Sequence, residues 1–173
     1  MKKPTTLSPT LERIINKVWD NPRLGSTLCS IDAGAVIFTA IALAARVATL
    51  AVSAGWIRLI AELSVLGVSF VAVSVFRVII NMPRPYEVGN IARLDSSKKR
   101  GKSFPSRHVF SSFVIATVLV PWNVWISVGL FVIGSLMAVI RVIIGRHFPR
   151  DVIAGAIIGI VSGVIGLLII QAI

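Results

Sequence analysis

The sequence predicts an all-α, polytopic membrane bundle of about five transmembrane helices, preceded by an N-terminal amphipathic interfacial helix. Three observations predict it. Hydrophobic residues make up 55% of the 173 residues and charged residues only 14%, with a mean hydropathy of +0.88; a soluble domain carries about 25% charged residues. The apolar runs are long, near the roughly 20 residues that one crossing needs. The basic residues, which set a net charge of +11, lie mostly in short segments between those runs. In a soluble protein that charge would suggest nucleic acid. Between membrane spans it suits anionic lipid headgroups or phosphorylated substrates, so the bilayer is an expected partner and nucleic acid is not.

The elements follow in order. Leu11, Ile14, Ile15, Val18 and Trp19 repeat at helical spacing, with Glu12, Arg13, Asn16 and Lys17 between them. Residues 1–25 therefore read as an amphipathic segment lying in the interface, its helix ended by Asn21-Pro22. Met1-Lys2-Lys3 is basic, but no apolar run follows until about residue 31, so no cleaved signal peptide is expected. The bundle, 31–173, completes a single domain, 1–173. Its first span is about Ile31 to Ser53, with a turn at Ala54-Gly55; the second runs from Trp56 to about Ile80 and stops at Asn81-Met82-Pro83. A polar loop, Arg84 to Ser103, leads to a third span that starts in Pro105-Ser106-Arg107-His108 and ends near Pro121-Trp122. The fourth covers about Trp125 to Gly145. After the link Arg146 to Arg150, Asp151 caps the fifth. Trp56, Trp122 and Trp125 fall together at one membrane face as interfacial anchors.

Two charges lie inside the first hairpin. Arg46 and Glu62 are each eight residues from Ala54, hence at one depth, about 12 Å from the turn at 1.5 Å per residue. Charges within the membrane are expensive and tend to pair, so an interhelical ion pair is expected.

Five spans bring three polar clusters to one face: 77–85, 105–108 and 141–151. Arg77, Arg84, Arg107 and Arg141 supply four cations whose forks match phosphate oxygens. Ser106 adds a hydroxyl, and the helix start behind it adds backbone N–H groups and a favourable dipole. His147 and Asp151 are four apart, close enough for the carboxylate to orient the imidazole, which then serves as nucleophile or base. His108 arrives from another span as the complementary acid. These residues suit phosphoryl transfer through a phosphohistidine. No carboxylate cluster is available for magnesium, and two histidines with one aspartate make a poor zinc set, so neither metal nor cofactor is expected. The single cysteine, Cys29, excludes an internal disulfide and a cysteine-based metal cage.

The order and spacing of these residues resemble the type 2 phosphatidic acid phosphatase family of membrane lipid phosphatases, whose active site is shared with vanadium haloperoxidases. The family's first motif is Lys, six residues, Arg-Pro; here Arg77 precedes Arg84-Pro85 by that spacing. The second, Pro-Ser-Gly-His, stands as Pro105-Ser106-Arg107-His108. The third, Ser-Arg, five residues, His, three residues, Asp, is matched by Arg141, His147 and Asp151. The resemblance implies that His147 attacks phosphorus, Asp151 activates it and His108 protonates the leaving oxygen. It further implies that Arg77, Arg84, Ser106 and Arg141 bind the phosphoryl oxygens, without metal. Arg77 in place of Lys, Arg107 in place of Gly and Ile140 in place of Ser depart from the pattern. None of the three removes the nucleophile, acid or orienting carboxylate. Arg107 is assigned to the substrate phosphate, with an outward direction to the substrate headgroup or to lipid as the alternative. The usual member has six spans, and the amphipathic helix stands where the first would be.

The expected activity is therefore hydrolysis of a phosphate monoester or diphosphate of a lipid; polyprenyl phosphates or diphosphates, phosphatidic acid and phosphatidylglycerophosphate are all compatible. Sixteen of the eighteen Lys and Arg residues fall on or near the site face, leaving Arg46 and Arg58. The positive-inside rule then puts the active site in the cytoplasm. A non-catalytic anionic-lipid binding or transport protein would use the same cationic mouth but would tolerate loss of His147. A channel or structural protein would need a polar stripe through the spans, where only Arg46 and Glu62 are found. Oligomeric state has no signal in the sequence.

Overall fold

The computed structural model describes residues 7–53, 55–89 and 100–172, so Ala54 of the first turn and residues 90–99 of the polar loop lie outside the described residues. The elements are α1 (Pro9–Trp19), α2 (Pro22–Val52), α3 (Trp56–Ile80), the single turn α4 (Pro85–Val88), α5 (Arg107–Val118), α6 (Val124–Ile143) and α7 (Pro149–Gln171). Four of them, α2, α3, α6 and α7, are long and apolar enough to cross a membrane.

α1 is amphipathic as expected, with Pro9 in its first turn and the Ser8 hydroxyl accepting from the Leu11 N–H at 3.3 Å. Ile15 and Trp19 are buried against Ile140, Ile144 and Phe148, so α1 lies over the end of α6 and the link that follows it. The amphipathic helix expected at the interface thus buries part of its apolar face on the bundle itself, which removes that surface from water.

α2 starts nine residues earlier than the expected span, at Pro22, where the Asn21 side chain accepts from the Leu24 N–H at 3.2 Å. Its 31 residues make a rod of about 46 Å, longer than a hydrocarbon core of about 30 Å. The polar residues of its first turns therefore stand at the level of the site. α3 matches its expected bounds, stopping where Asn81 turns left-handed (φ 42°).

The third apolar run differs from the others. α5 has only 12 residues, about 18 Å, too short to cross alone. It is the central helix, with Val109, Phe110 and every residue from Ser112 to Val118 buried. α7 lies along it on a glycine face: a Cβ on Gly155 would stand 2.7 Å from the Ser106 carbonyl oxygen, and one on Gly159 2.7 Å from that of Phe110. Small residues four apart let two backbones approach this closely.

The end of α5 lies inside the bundle. Trp122 packs on the central core cluster, and its ring sits 5.7 Å from the Arg46 guanidinium carbon. Trp122 is partly buried against that cluster, while Trp56 and Trp125 are exposed. Beneath it is the expected ion pair: Arg46 Nε and Nη2 donate to Glu62 Oε2 and Oε1 at 3.0 and 2.6 Å. Arg58 adds a second cation at 3.1 Å from Glu62 Oε1.

Candidate active site

α6 ends over 141–147 in a tight turn. The N–H groups of Arg146 and His147 both donate to the Arg141 carbonyl, at 3.0 and 3.1 Å. Gly145, at φ 73°, makes the reversal; a left-handed position favours a residue without Cβ. The turn brings His147 back under the bundle, where it is 2% exposed. Pro149 then opens α7, for which its fixed φ is suited. Asp151 is the third residue of that helix rather than its cap, and its Oδ2 accepts the Phe148 N–H at 3.0 Å.

Asp151 Oδ2 is the hub. It accepts from Ser103 Oγ at 2.5 Å and stands 3.7 Å from His147 Nδ1, a charge contact just beyond hydrogen-bond length. Ser103 Oγ is itself 3.5 Å from the same imidazole nitrogen. His147 thus turns Nδ1 towards a carboxylate and a hydroxyl, leaving Nε2 as the nitrogen available for attack. Burial lowers the His147 pKa to about 4; Arg84 and Arg141 push the same way, and Asp151 opposes them. A pKa so lowered favours the neutral ring at physiological pH, the form with a lone pair free to react.

α5 is tied to this hub through its backbone, since the Ser106 N–H donates to the Asp151 carbonyl at 2.9 Å. The Ser106 hydroxyl is buried without a hydrogen-bond partner. One residue pair on, His108 Nδ1 lies 2.9 Å from Arg141 Nη1. A guanidinium can only donate, so Nδ1 is the acceptor and the ring proton belongs on Nε2.

Arg141 is held from the other side by a residue the sequence reading missed. Its Nε and Nη2 donate to the two carboxylate oxygens of Asp32 at 2.7 and 2.8 Å. Arg146 Nη1 adds a bond to Asp32 Oδ2 at 2.9 Å. Asp32 comes from α2 and is 2% exposed. Ser103 was missed as well, being one serine at the end of a basic loop with no periodic signal. Asp32 had a signal, because an acid at the edge of an apolar run calls for a cationic partner.

The remaining predicted residues divide. Arg84 joins the loop to the link that carries His147, with Nε donating to the Gly101 carbonyl at 3.1 Å and Nη1 to that of Arg146 at 3.4 Å. Arg77 is buried and donates to the carbonyls of Lys102, Ser103 and Pro105, so it braces the segment that presents Ser103 and Ser106. Arg107 lies with its guanidinium carbon 5.6 Å from the Phe70 ring, on the α3 side. His147, Asp151, His108, Ser106, Arg84 and Arg141 are therefore linked around one point; Arg77 and Arg107 flank it. Among the described residues no three His, Cys, Asp or Glu side chains converge as metal ligands. A groove of about 680 Å³ between α3 and α7 is lined by Ile57, Ile60, Val65 and Ile165; it is apolar, and none of the predicted site residues lines it.

A chain that wraps a short central helix in long apolar ones, with His147, Asp151 and the arginines at one end, belongs to the PAP2 superfamily, whose family profile matches residues 58–173. It is a multi-pass membrane protein. The crystal structure of Aquifex aeolicus LpxE is similar, with a TM-score of 0.71 and 27% identity, covering 97% of this chain and 99% of that one. The crystal structure of a PAP2-type phosphatidylglycerolphosphate phosphatase from Bacillus subtilis matches with a TM-score of 0.55 over 95% of this chain and 94% of that one. Its 20% identity speaks for the fold alone. A lipid A 1-phosphatase of Porphyromonas gingivalis is 30% identical over 81 residues, 44% of this chain and 18% of that protein's length.

Proposed function

We propose that this protein is an integral membrane lipid phosphatase that hydrolyses a phosphate monoester or diphosphate of a lipid through a phosphohistidine on His147. The observation that carries the reading is the Asp151 hub: one carboxylate oxygen meets Ser103 Oγ at 2.5 Å and His147 Nδ1 at 3.7 Å. His147 Nε2 attacks phosphorus and the bond to the lipid oxygen breaks. The bound phosphoryl group draws Arg141 Nη1 from His108 Nδ1, which then takes a proton from solvent; the doubly protonated ring gives its Nε2 proton to the leaving oxygen and ends neutral. Asp151 stabilises the cationic phosphoimidazole. Water then attacks phosphorus and gives a proton to His108 Nε2; the P–N bond breaks, releasing inorganic phosphate and returning His147 to its neutral form.

Arg84, Arg141 and the unpartnered Ser106 hydroxyl receive the phosphoryl oxygens, aided by the first N–H groups of α5. Arg77 acts from behind, through the carbonyls it holds. Hydrogen-bond donors fixed in advance stabilise the charge of the transition state better than mobile ones. No step requires a metal. Membership of the PAP2 superfamily and the likeness to a protein named as a lipid A 1-phosphatase support the substrate class. The charge asymmetry of the sequence favours a cytoplasmic active site, which a topology reporter fused at Ile173 tests; a cytoplasmic reporter would overturn that orientation.

The direct test is phosphate release from a panel of lipid phosphates in detergent with EDTA present, for wild type and His147→Ala. Release that survives EDTA and vanishes in the variant is expected. Release abolished by chelation, or undiminished by the substitution, would falsify the mechanism.

A further inference from the structure

Beside the catalytic cluster lies a cavity of about 400 Å³ lined by Ser74, Arg77, Val78, Arg84, Arg100, Gly101, Lys102 and Arg107. Its size is within the range of small-ligand sites, roughly 300–1,000 Å³. Five of its residues are cations, and no carboxylate lines it among the described residues. The nearby Glu87 is turned to backbone instead: its Oε1 accepts the Gly101 N–H at 2.6 Å and its Oε2 the Arg84 N–H at 3.4 Å. Such a group of like charges repels itself unless an anion enters.

Two further observations bear on that anion. The Ser74 hydroxyl on the cavity wall is buried and has no hydrogen-bond partner. The cavity also meets the lipid-facing side of α3, where Val78 is 56% exposed and Arg107 lies over Phe70. Neither histidine nor Asp151 lines it; Arg77 and Arg84 are its boundary with the catalytic cluster. A group bound here would be one guanidinium away from the phosphoryl group being attacked.

We propose that this cavity is a subsite for a second anionic group of the lipid headgroup, so that the favoured substrate carries a second phosphate beyond the one removed. The inference rests on the phosphatase reading and deepens it. Arg107, Arg100 and Lys102 receive the second group, and Ser74 completes its hydrogen bonds. The lipid's chain leaves along the exposed face of α3.

The test compares a lipid diphosphate with the monophosphate of the same chain, in wild type and in the Arg100→Ala/Lys102→Ala double variant. These two cations belong to the cavity and not to the catalytic cluster. Removing two charge-assisted contacts should raise KM for the diphosphate by about ten- to a hundredfold. Kinetics on the monophosphate should stay within about twofold, the range of an exposed surface change. Equal losses on both substrates would mean that the cations only anchor the protein to the membrane, and no change on either would mean an empty cavity; both overturn the subsite. Inorganic phosphate as a competitor separates the remaining source: if the variant loses only inhibition by free phosphate, the cavity holds product and not headgroup. Should wild type hydrolyse neither lipid, the phosphatase reading fails, and binding to vesicles containing each lipid then decides the subsite alone. Selective loss of diphosphate binding in the variant supports it, and equal binding overturns it.

Discussion

Arg141 is gripped by Asp32 through both carboxylate oxygens, at 2.7 and 2.8 Å, while its third nitrogen reaches His108 Nδ1 at 2.9 Å. One guanidinium therefore connects a carboxylate on α2 to an imidazole on α5. The fork fixes the plane of the guanidinium, and that plane fixes which nitrogen of His108 bears the proton. Asp32 also takes Arg146, so two cations beside the phosphate site share one neutralising charge.

Asp32→Asn is expected to lower kcat by about ten- to a hundredfold, the cost of a misplaced group in a catalytic site. Because Asp32 acts through Arg141, Asp32→Glu should recover part of the loss. The pH profile of kcat should also change in Asp32→Asn, since an Arg141 freed from Asp32 alters the field at His108. Full activity with an unchanged profile would reduce Asp32 to a packing role.

His147 gives a pH prediction with a definite sign. Its pKa is lowered to about 4 by burial first, with Arg84 and Arg141 adding to the shift. The neutral, nucleophilic form therefore prevails above about pH 4 and is lost as pH falls through that value. The chain has two histidines, so imidazole NMR in detergent resolves the titration once His108→Ala assigns the signals. A midpoint near the ordinary 6.5 would contradict the buried placement. Ser103→Ala removes the hydroxyl between Asp151 and the imidazole and should reduce kcat by about tenfold, within the range for one hydrogen bond to a charged group.

What the sequence disclosed depended on whether a local pattern carried it. The bounds of α3 were legible because Trp56 and Asn81-Met82-Pro83 punctuate an unbroken apolar run. The depth match of Arg46 and Glu62 was legible because a hairpin makes equal spacing equal height. The length of α5 was not, because hydropathy reads composition and continues through Leu119 and Val120, where the helix has already ended. The placement of α1 was hidden for a related reason: amphipathicity shows that a face will be buried, not whether lipid or Ile140 and Phe148 will bury it. At the site, the eight residues of the motif pattern were legible, six of them converging. Asp32 escaped because α2 was expected to begin at Ile31, which made an interior acid look like a boundary residue.

The Arg46–Glu62 pair should matter for stability and not for chemistry. Both residues are less than a tenth exposed, and they lie beneath Trp122 at the end of α5 opposite the site. Glu62→Gln leaves Arg46 buried without its counterion and should cost about 3–5 kcal/mol. Replacing both, as Arg46→Met with Glu62→Leu, should cost less than the single change, since no uncompensated charge remains. Thermal unfolding in detergent reads both, and turnover per folded molecule should be unchanged in each.

The glycine face of α7 couples packing to catalysis, and two substitutions on different glycines separate it from a general intolerance of bulk. A Cβ on Gly155 would meet the Ser106 carbonyl oxygen at 2.7 Å and one on Gly159 that of Phe110 at 2.7 Å, both backbone atoms that cannot step aside. Gly67 of α3 has open space around the same position. Gly155→Ala must push the start of α5 away from α7, and that is where the Ser106 N–H meets the Asp151 carbonyl at 2.9 Å. His108 moves with α5 while His147 and Asp151 stay with α7, so the acid and the nucleophile part. A shift of about 1 Å between reacting groups can cost about a hundredfold in rate, and the overpacking itself about 1–3 kcal/mol. Gly67→Ala should leave both activity and melting temperature near wild type, and gains helix propensity of up to about 1 kcal/mol. If Gly155→Ala melts like wild type and turns over normally, α5 and α7 are not in the contact described, and the coupling of His108 to His147 through it is lost.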